Sequence, residues 1–253
     1  MIQFLGRGAL GRGAAVSLWH GLVRLVYPGT CWVCGRLVSE RAPLVCDGCV
    51  HDLTHDPHPT CPRCSSSVGP FVNLDQGCPT CRAAGFAFQR AVRLGPYEGR
   101  LREVVLRMKQ PASADLAEAI GTLWANQVAP RLHDERIDVA VPVPLHWWRW
   151  WQRGFNQSEA LARCLARELK VPCEPFRMRC VRRTAAQKTL SAPSRRANVR
   201  DAFRAAAGRG LAGKTVLLVD DVLTTGATAD EAARVLRRAG AARIVVAILA
   251  HGR

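Results

Sequence analysis

The chain has 253 residues, of which 48% are apolar and 22% charged, values that exclude a disordered or low-complexity protein and allow a sizeable core. Its 36 Lys and Arg against 20 Asp and Glu leave a formal charge of +16. The excess is uneven: residues 141–210 carry 15 basic and 4 acidic side chains, and residues 177–200 carry eight basic and none acidic. Such a concentration suits a polyanion (phosphate, pyrophosphate or nucleic acid), or else an Arg-rich solvated face.

In residues 1–27, Arg7, Arg12, His20 and Arg24 interrupt every apolar stretch, which argues against an export signal and against a membrane span. Leu18, Leu22, Leu25 and Val26 recur at helical spacing, predicting a short amphipathic helix packed on the protein body. Cytoplasmic residence is expected, and it agrees with the cysteines that follow.

Eight of the 11 cysteines form four C-x-x-C units: Cys31/Cys34, Cys46/Cys49, Cys61/Cys64 and Cys78/Cys81. The units are separated by 11, 11 and 13 residues. A C-x-x-C turn brings two thiolates onto one metal, and a second turn completes the tetrahedron, so two structural zinc sites are expected. Gly35, Gly48, Pro62 and Pro79 fall where such knuckles turn. A redox dithiol presents a single C-x-x-C, and a cytosolic chain of this length needs no disulfide framework. Pairing the first two units on one ion and the last two on the other closes the shorter loops, but spacing leaves a crossed arrangement open. His51, His55 and His58 sit in a polar linker and are not needed as ligands. Cys164 falls within a helical pattern and reads as a buried small apolar residue.

Farther on, "VAVPVP" (139–144) is a strand stopped by Pro142 and Pro144. A helix follows, with Ser158 as its expected cap and Leu161, Leu165 and Leu169 along one face. Between them lies "HWWRWWQRG". Trp147, Trp148, Trp150 and Trp151 cannot all face inward, so one or two exposed rings are expected. They fit a packed loop or, beside Arg149 and Arg153, a base-stacking surface for single-stranded nucleic acid. Residues 182–203 are basic and without apolar periodicity, and read as a long mobile loop of the kind that forms lids.

"TVLLV" (215–219) is a short β-branched run typical of a buried parallel strand. Asp220 and Asp221 come next, then Thr224, Thr225, Gly226, Ala227 and Thr228. A helix is expected after them, started by a Thr228/Glu231 capping box and stopped by Gly240, and "RIVVAIL" (243–249) is a second buried strand. The result is a βαβ unit whose ligand site lies beyond the carboxyl end of the first strand. Hydroxyls and backbone N–H groups at a helix N-terminus hold phosphate, and Gly226 lets a ligand approach the backbone. Two carboxylates repel phosphate but accept from vicinal sugar hydroxyls, with Mg²⁺ nearby to offset their charge. A ribose 5-phosphate meets both requirements.

"VLLVDDVLTTGAT" resembles the phosphoribosyl-pyrophosphate loop of the type I phosphoribosyltransferases. That likeness assigns Asp220 and Asp221 to the ribose hydroxyls as the catalytic pair, and Thr224, Thr225, Gly226, Ala227 and Thr228 to the 5-phosphate. Three further blocks resemble the ComF/GntX family over residues 24–250: Tyr97, Gly99, Leu101, Arg102 and Lys109; Arg153, Gly154, Phe155, Asn156 and Gln157; and Gln187, Leu190, Arg195, Asn198, Val199, Ala202 and Phe203. The resemblance implies an α/β fold with a doubly wound, mostly parallel sheet, preceded by a small double zinc ribbon. Residues 1–27 are then the amphipathic helix, 28–85 the ribbons and 90–253 the phosphoribosyltransferase-like domain. It implies phosphoribosyl pyrophosphate or a related nucleotide as ligand, Mg²⁺ with it, and Arg153, Lys188 and Arg195 at the pyrophosphate. It also implies a link to DNA uptake, with single-stranded DNA and DNA-uptake proteins as further partners. Catalysis by pentosyl transfer and non-catalytic binding of single-stranded DNA or nucleotide both remain open at this level.

Overall fold

The structure, a computed structural model, describes residues 29–38, 44–184, 192–206 and 210–252. The amphipathic helix expected over 1–27 lies outside them. The chain divides into two compact units, Met1–Asp47 and Gly48–Arg253.

In the first unit, Thr30 and Leu37 form an antiparallel bridge, and Gly35 N–H closes the turn onto Cys31 O at 2.8 Å. Gly35 has φ 74°, a conformation that glycine enters without Cβ strain. The second unit repeats this knuckle. Thr60 bridges Ser67, Ser65 N–H bonds to Cys61 O, and Ser65 takes φ 59° at the place equivalent to Gly35. Two short helices belong to the cysteine-rich segment, α1 (Asp47–Thr54) and α2 (Pro79–Ala84).

The rest of the second unit is built on β1 (Arg90–Pro96), β2 (Val139–Pro142), β5 (Thr215–Leu223) and β6 (Arg243–His251), in the order β1-β6-β5-β2 with every pair parallel. A separate antiparallel pair joins β3 (Met178–Cys180) to β4 (Phe203–Ala205). The helices are α3 (Gly99–Arg107), α4 (Ala114–Val128), α5 (Trp147–Arg153), α6 (Gln157–Leu169), α7 (Ala192–Val199) and α8 (Ala227–Arg238). Continuous apolar runs such as Val216–Val219 and Ile244–Ala250 are buried on both faces, as a parallel sheet between helical layers requires.

The two faces differ in what covers them. Val216, Leu218, Ile244, Val246 and Ile248 share a core with Ala229, Ala232, Ala233 and Leu236 of α8, with Phe86 and Phe88, and with Cys61, Cys64, Cys78 and Cys81. The second ribbon is therefore part of the domain core. Against the opposite face, α6 packs on β2 and β5, α4 packs on β1, and the two helices pack on each other. Trp124 of α4 is fully buried and donates Nε1–H to Ile248 O at 2.9 Å. Leu161 and Leu165 of α6 are fully buried, each contributing about 1.5–3 kcal/mol of transfer free energy.

Four local expectations change. Strand β5 does not stop at residue 219 but runs through both acids to Leu223, because β6 continues to pair with it as far as His251. Helix α8 is capped by Gly226 and not by a Thr228/Glu231 box; Glu231 Oε1 instead accepts Asp201 N–H at 3.1 Å. Helix α6 is capped by Asn156, whose side chain accepts from Ser158 N. The stretch read as a mobile, lid-like loop over 182–203 contains α7, and its residues 185–191 lie outside the described residues.

Candidate functional site

Strand β5 lies between β2 and β6, and its carboxyl end delivers Asp220 and Asp221, which are 9% and 7% exposed. Acids this buried need partners, and the first turn of α6 supplies them. Ser158 Oγ donates to Asp220 Oδ1 at 3.0 Å, and Gln157 Nε2 donates to Asp221 Oδ2 at 3.2 Å. Asp221 N–H adds a 2.9 Å bond to Asp220 Oδ1. Lys109, just beyond the end of α3, places Nζ 2.8 Å from Asp221 Oδ2. Arg153 NH1 donates to Gln157 Oε1 at 3.0 Å, so a chain of contacts runs from Arg153 through Gln157 to Asp221 and Lys109.

The two carboxyls are driven apart electrostatically. Burial, then the neighbouring charge of Asp221, pushes Asp220 up to about 7. Asp221 is equally buried, but the Lys109 ammonium and its hydrogen bond hold it below the usual carboxylate range. One acid of the pair thus carries the charge while its neighbour stays near the point of protonation.

Residues 224–228 follow at once and lead into α8, whose first turn carries N–H groups that the helix cannot pair internally. Gly226 adopts φ 76°, and a Cβ there would stand 2.6 Å from the Phe86 ring. Its requirement for glycine is met by that packing and by the positive φ. Thr225 Oγ1 is buried without a hydrogen-bond partner. A hydroxyl left unpaired in a turn at a helix N-terminus keeps a donor that such a turn can offer to an anion.

The cysteines form two groups, Cys31/Cys34/Cys46/Cys49 and Cys61/Cys64/Cys78/Cys81, each with its sulfurs within 4.8 Å of one another. The pairing is sequential. Sulfur separations are 3.8 Å for Cys34–Cys46, 3.8 Å for Cys61–Cys81 and 3.7 Å for Cys64–Cys78. Four thiolates at about 2.3 Å from one zinc stand about 3.8 Å apart, so both donor sets fit zinc. Burial opposes ionisation of Cys61, but N–H groups of Cys64, Cys78 and Arg63 outweigh it and bring the thiol down to about 7. Cys31 reaches about 6 through the N–H groups of Cys46, Cys34 and Val33, again against burial. Among the described residues no other cluster of His, Cys, Asp or Glu has metal-ligand spacing. Asp220 and Asp221, with Lys109 on one of them, do not make a cage for Mg²⁺.

Of the other residues singled out by sequence, Lys188 lies outside the described residues and only the backbone of Arg195, in α7, is described. Trp147, Trp150 and Trp151 are 67%, 52% and 69% exposed, one ring more than expected, because "WWRWWQR" is a helix and not a packed loop. Trp148 stacks on Trp151, and the Arg183 guanidinium lies 6.0 Å from the Trp148 ring. Sequence reasoning gave Lys109, Gln157 and Ser158 no role at the acid pair. Lys109 and Gln157 stand in the family-like blocks, the signal that was available; their convergence on Asp221 required the fold.

A buried acid pair in the last part of a parallel strand, a hydroxyl-rich turn after it and two four-cysteine knuckles together define a zinc-ribbon protein with a phosphoribosyltransferase-type domain. Residues 22–84 match the double zinc ribbon domain family and residues 156–253 the phosphoribosyl transferase domain family. The chain is 33% identical over 228 residues to the DNA utilization protein YhgH of Escherichia coli K12, covering 88% of this chain and 96% of that protein. It is 32% identical over 206 residues to competence protein F of Haemophilus influenzae, covering 80% and 88%. The chain belongs to the ComF family. Purine phosphoribosyltransferase from Pyrococcus horikoshii aligns at 17% identity with a TM-score of 0.34, over 50% of this chain and 68% of that one.

Proposed function

We propose that the site at the end of β5 binds phosphoribosyl pyrophosphate, with the ribose hydroxyls on Asp220 and Asp221 and the 5-phosphate in the turn formed by Thr224, Thr225, Gly226, Ala227 and Thr228. The observation that carries this reading is the acid pair held by Ser158, Gln157 and Lys109 directly before an anion turn whose Thr225 hydroxyl is buried and unpartnered. Arg153, Lys188 and Arg195 are the candidate pyrophosphate contacts in this reading, and Mg²⁺ enters as the counter-ion of that pyrophosphate. Transfer breaks the bond from ribose C1 to pyrophosphate oxygen and forms one from C1 to an acceptor nucleophile, and the protein's part is positioning and charge stabilisation. Eight thiols suited to zinc support residence in a reducing compartment, the cytoplasm. The test is calorimetric titration of the zinc-loaded chain with phosphoribosyl pyrophosphate in the presence and absence of Mg²⁺. The double variant Asp220→Asn, Asp221→Asn is expected to lose binding while keeping its melting transition; unchanged affinity would reduce the motif to a structural turn.

A second reading concerns the exposed face of α5. Relatives of this chain are named for DNA utilization and for competence, and Trp147, Trp150 and Trp151 share one helical face at i, i+3 and i+4. Single-stranded DNA stacked on these rings, with Arg183 and Arg196 at its phosphates, accounts for both the indoles and the basic excess. Replacing Arg183 and Arg196 with Ala should lower the salt slope of DNA binding by roughly 0.7 per lost contact. Trp150→Ala with Trp151→Ala should weaken binding and leave the slope alone, and a flat salt response in the parent protein would end this reading.

A further inference from the structure

The chain's own cation on the acid pair is the feature that the phosphoribosyl reading leaves unexplained. Lys109 comes from a segment 112 positions away from Asp221, and its side chain is only 26% exposed. Ordering a lysine there gives up side-chain entropy and hydration, so the contact has to be matched by what it does to the carboxylate. Lys109 Nζ and Gln157 Nε2 both donate to Oδ2 of Asp221, while Ser158 Oγ and Asp221 N–H both donate to Oδ1 of Asp220. A carboxylate offers about four acceptor positions, so each acid still has capacity for further donors.

What can use that capacity differs between a hydroxyl and a metal. A divalent ion such as Mg²⁺ sheds water reluctantly and needs carboxylate oxygens at about 2.0–2.1 Å. On Asp221 it would stand within a few ångströms of the ammonium, and at a buried site repulsion between a single and a double positive charge is poorly screened. A sugar hydroxyl is a neutral donor and adds to the ammonium without opposing it. We propose that Lys109 is the resident counter-ion of the acid pair: a tethered cation that keeps divalent metal off Asp220 and Asp221 and reserves them for the neutral vicinal hydroxyls of a sugar phosphate. Lys109 is then a specificity-determining residue acting through Asp221. Any metal used with phosphoribosyl pyrophosphate is carried on the phosphates of the ligand. This inference rests on the reading of the pair as a ribose site for its consequence, but the exclusion of metal is a property of the empty protein.

The test uses Mn²⁺ alone as the probe, followed by its electron paramagnetic resonance signal in the full-length, zinc-loaded protein with no sugar phosphate present. The parent protein is expected to show no Mn²⁺ site that depends on Asp221. Lys109→Gln is expected to create one, about tenfold tighter or more than any background binding, and Lys109→Gln with Asp221→Asn to abolish it. Lys109→Arg keeps the charge and should behave as the parent. The mutant arms are read on protein whose melting transition is intact. If Lys109→Gln does not fold, the parent and Lys109→Arg decide the matter, since a Mn²⁺ site in either that disappears in its Asp221→Asn derivative overturns the proposal. Equal Mn²⁺ affinity in parent and Lys109→Gln also overturns it. A companion titration with ribose 5-phosphate, without metal, separates the two ideas. Failure of that sugar to bind counts against the phosphoribosyl reading and leaves the Mn²⁺ result standing.

Discussion

Ser158 Oγ lies 3.0 Å from Asp220 Oδ1, which bonds the first turn of α6 to the end of β5 across 62 positions of sequence. The same turn holds Asp221 through Gln157, so one helix start orients both acids. Removing the Ser158 hydroxyl should therefore weaken the ligand site more than the fold, because Asn156 and not Ser158 caps the helix. Ser158→Ala is expected to reduce phosphoribosyl pyrophosphate affinity by about fivefold, the worth of one hydrogen bond of about 1 kcal/mol. Calorimetry beside a melting curve checks both halves; a collapse of the melt with intact affinity would reverse the assignment.

Asp220 titrates at about 7 in the folded protein, well above the ordinary carboxylate value of about 4. Between these two values the native state keeps a proton that the unfolded chain has released. Its contribution to stability is thus fully present below about pH 4 and is lost as pH rises through about 7. Asp221, held down by Lys109, runs the other way and contributes above its ordinary range. Asp220→Asn cannot ionise, so its melting temperature should rise relative to the parent at about pH 8.5 by more than at about pH 5, the difference being about 2–4 kcal/mol at most. An identical shift at both pH values would show that Asp220 does not hold its proton.

Gly226 combines φ 76° with a Phe86 ring 2.6 Å from where a Cβ would stand. Gly226→Ala is expected to destabilise the domain by about 2–4 kcal/mol, adding left-handed strain to overpacking against a buried ring. Denaturant unfolding of Gly226→Ala, and of Gly226→Ala with Phe86→Leu, separates the two contributions. A cost that Phe86→Leu leaves untouched belongs to the backbone alone.

Each chain should carry two zinc ions, and the two sites should differ in what they support. Cys61, Cys64, Cys78 and Cys81 belong to the domain core, and Ser65 Oγ and Arg63 O of the second knuckle bond to Ala91 of β1. Metal binding and folding are coupled in such knuckles. Cys61→Ser should lower the main melting transition, whereas Cys31→Ser should release one zinc with a smaller effect on it. Elemental analysis with melting curves checks this, and one zinc or none in the reduced parent protein would remove the two-site assignment.

Local chemistry made several features legible in the chain alone. Cysteine spacing announces two sets of four thiolates, since a C-x-x-C turn has few geometries, while the fold decides which units share a set. The β-branched runs at 215–219 and 243–249 announce buried parallel strands because no amphipathic alternative fits them. The acids and the hydroxyl-rich turn follow at fixed distance from that strand, so their placement at its carboxyl end needs no long-range information. What the chain alone left undecided was long-range. The partners of Asp220 and Asp221 come from residues 109, 157 and 158, brought together only when α6 packs on β2 and β5. The extension of β5 through the acids depends on β6 pairing with it. Gly226 read as an opening for a ligand, whereas Phe86, 140 positions away, is the group that a side chain there would strike. The tryptophan segment could be counted but not oriented, because whether a ring faces solvent is settled by which elements reach it. Residue type and short spacing thus determine which chemistry the chain carries, and tertiary packing alone decides which charge stands beside which, because electrostatic partners are chosen by distance in space and not by distance in sequence.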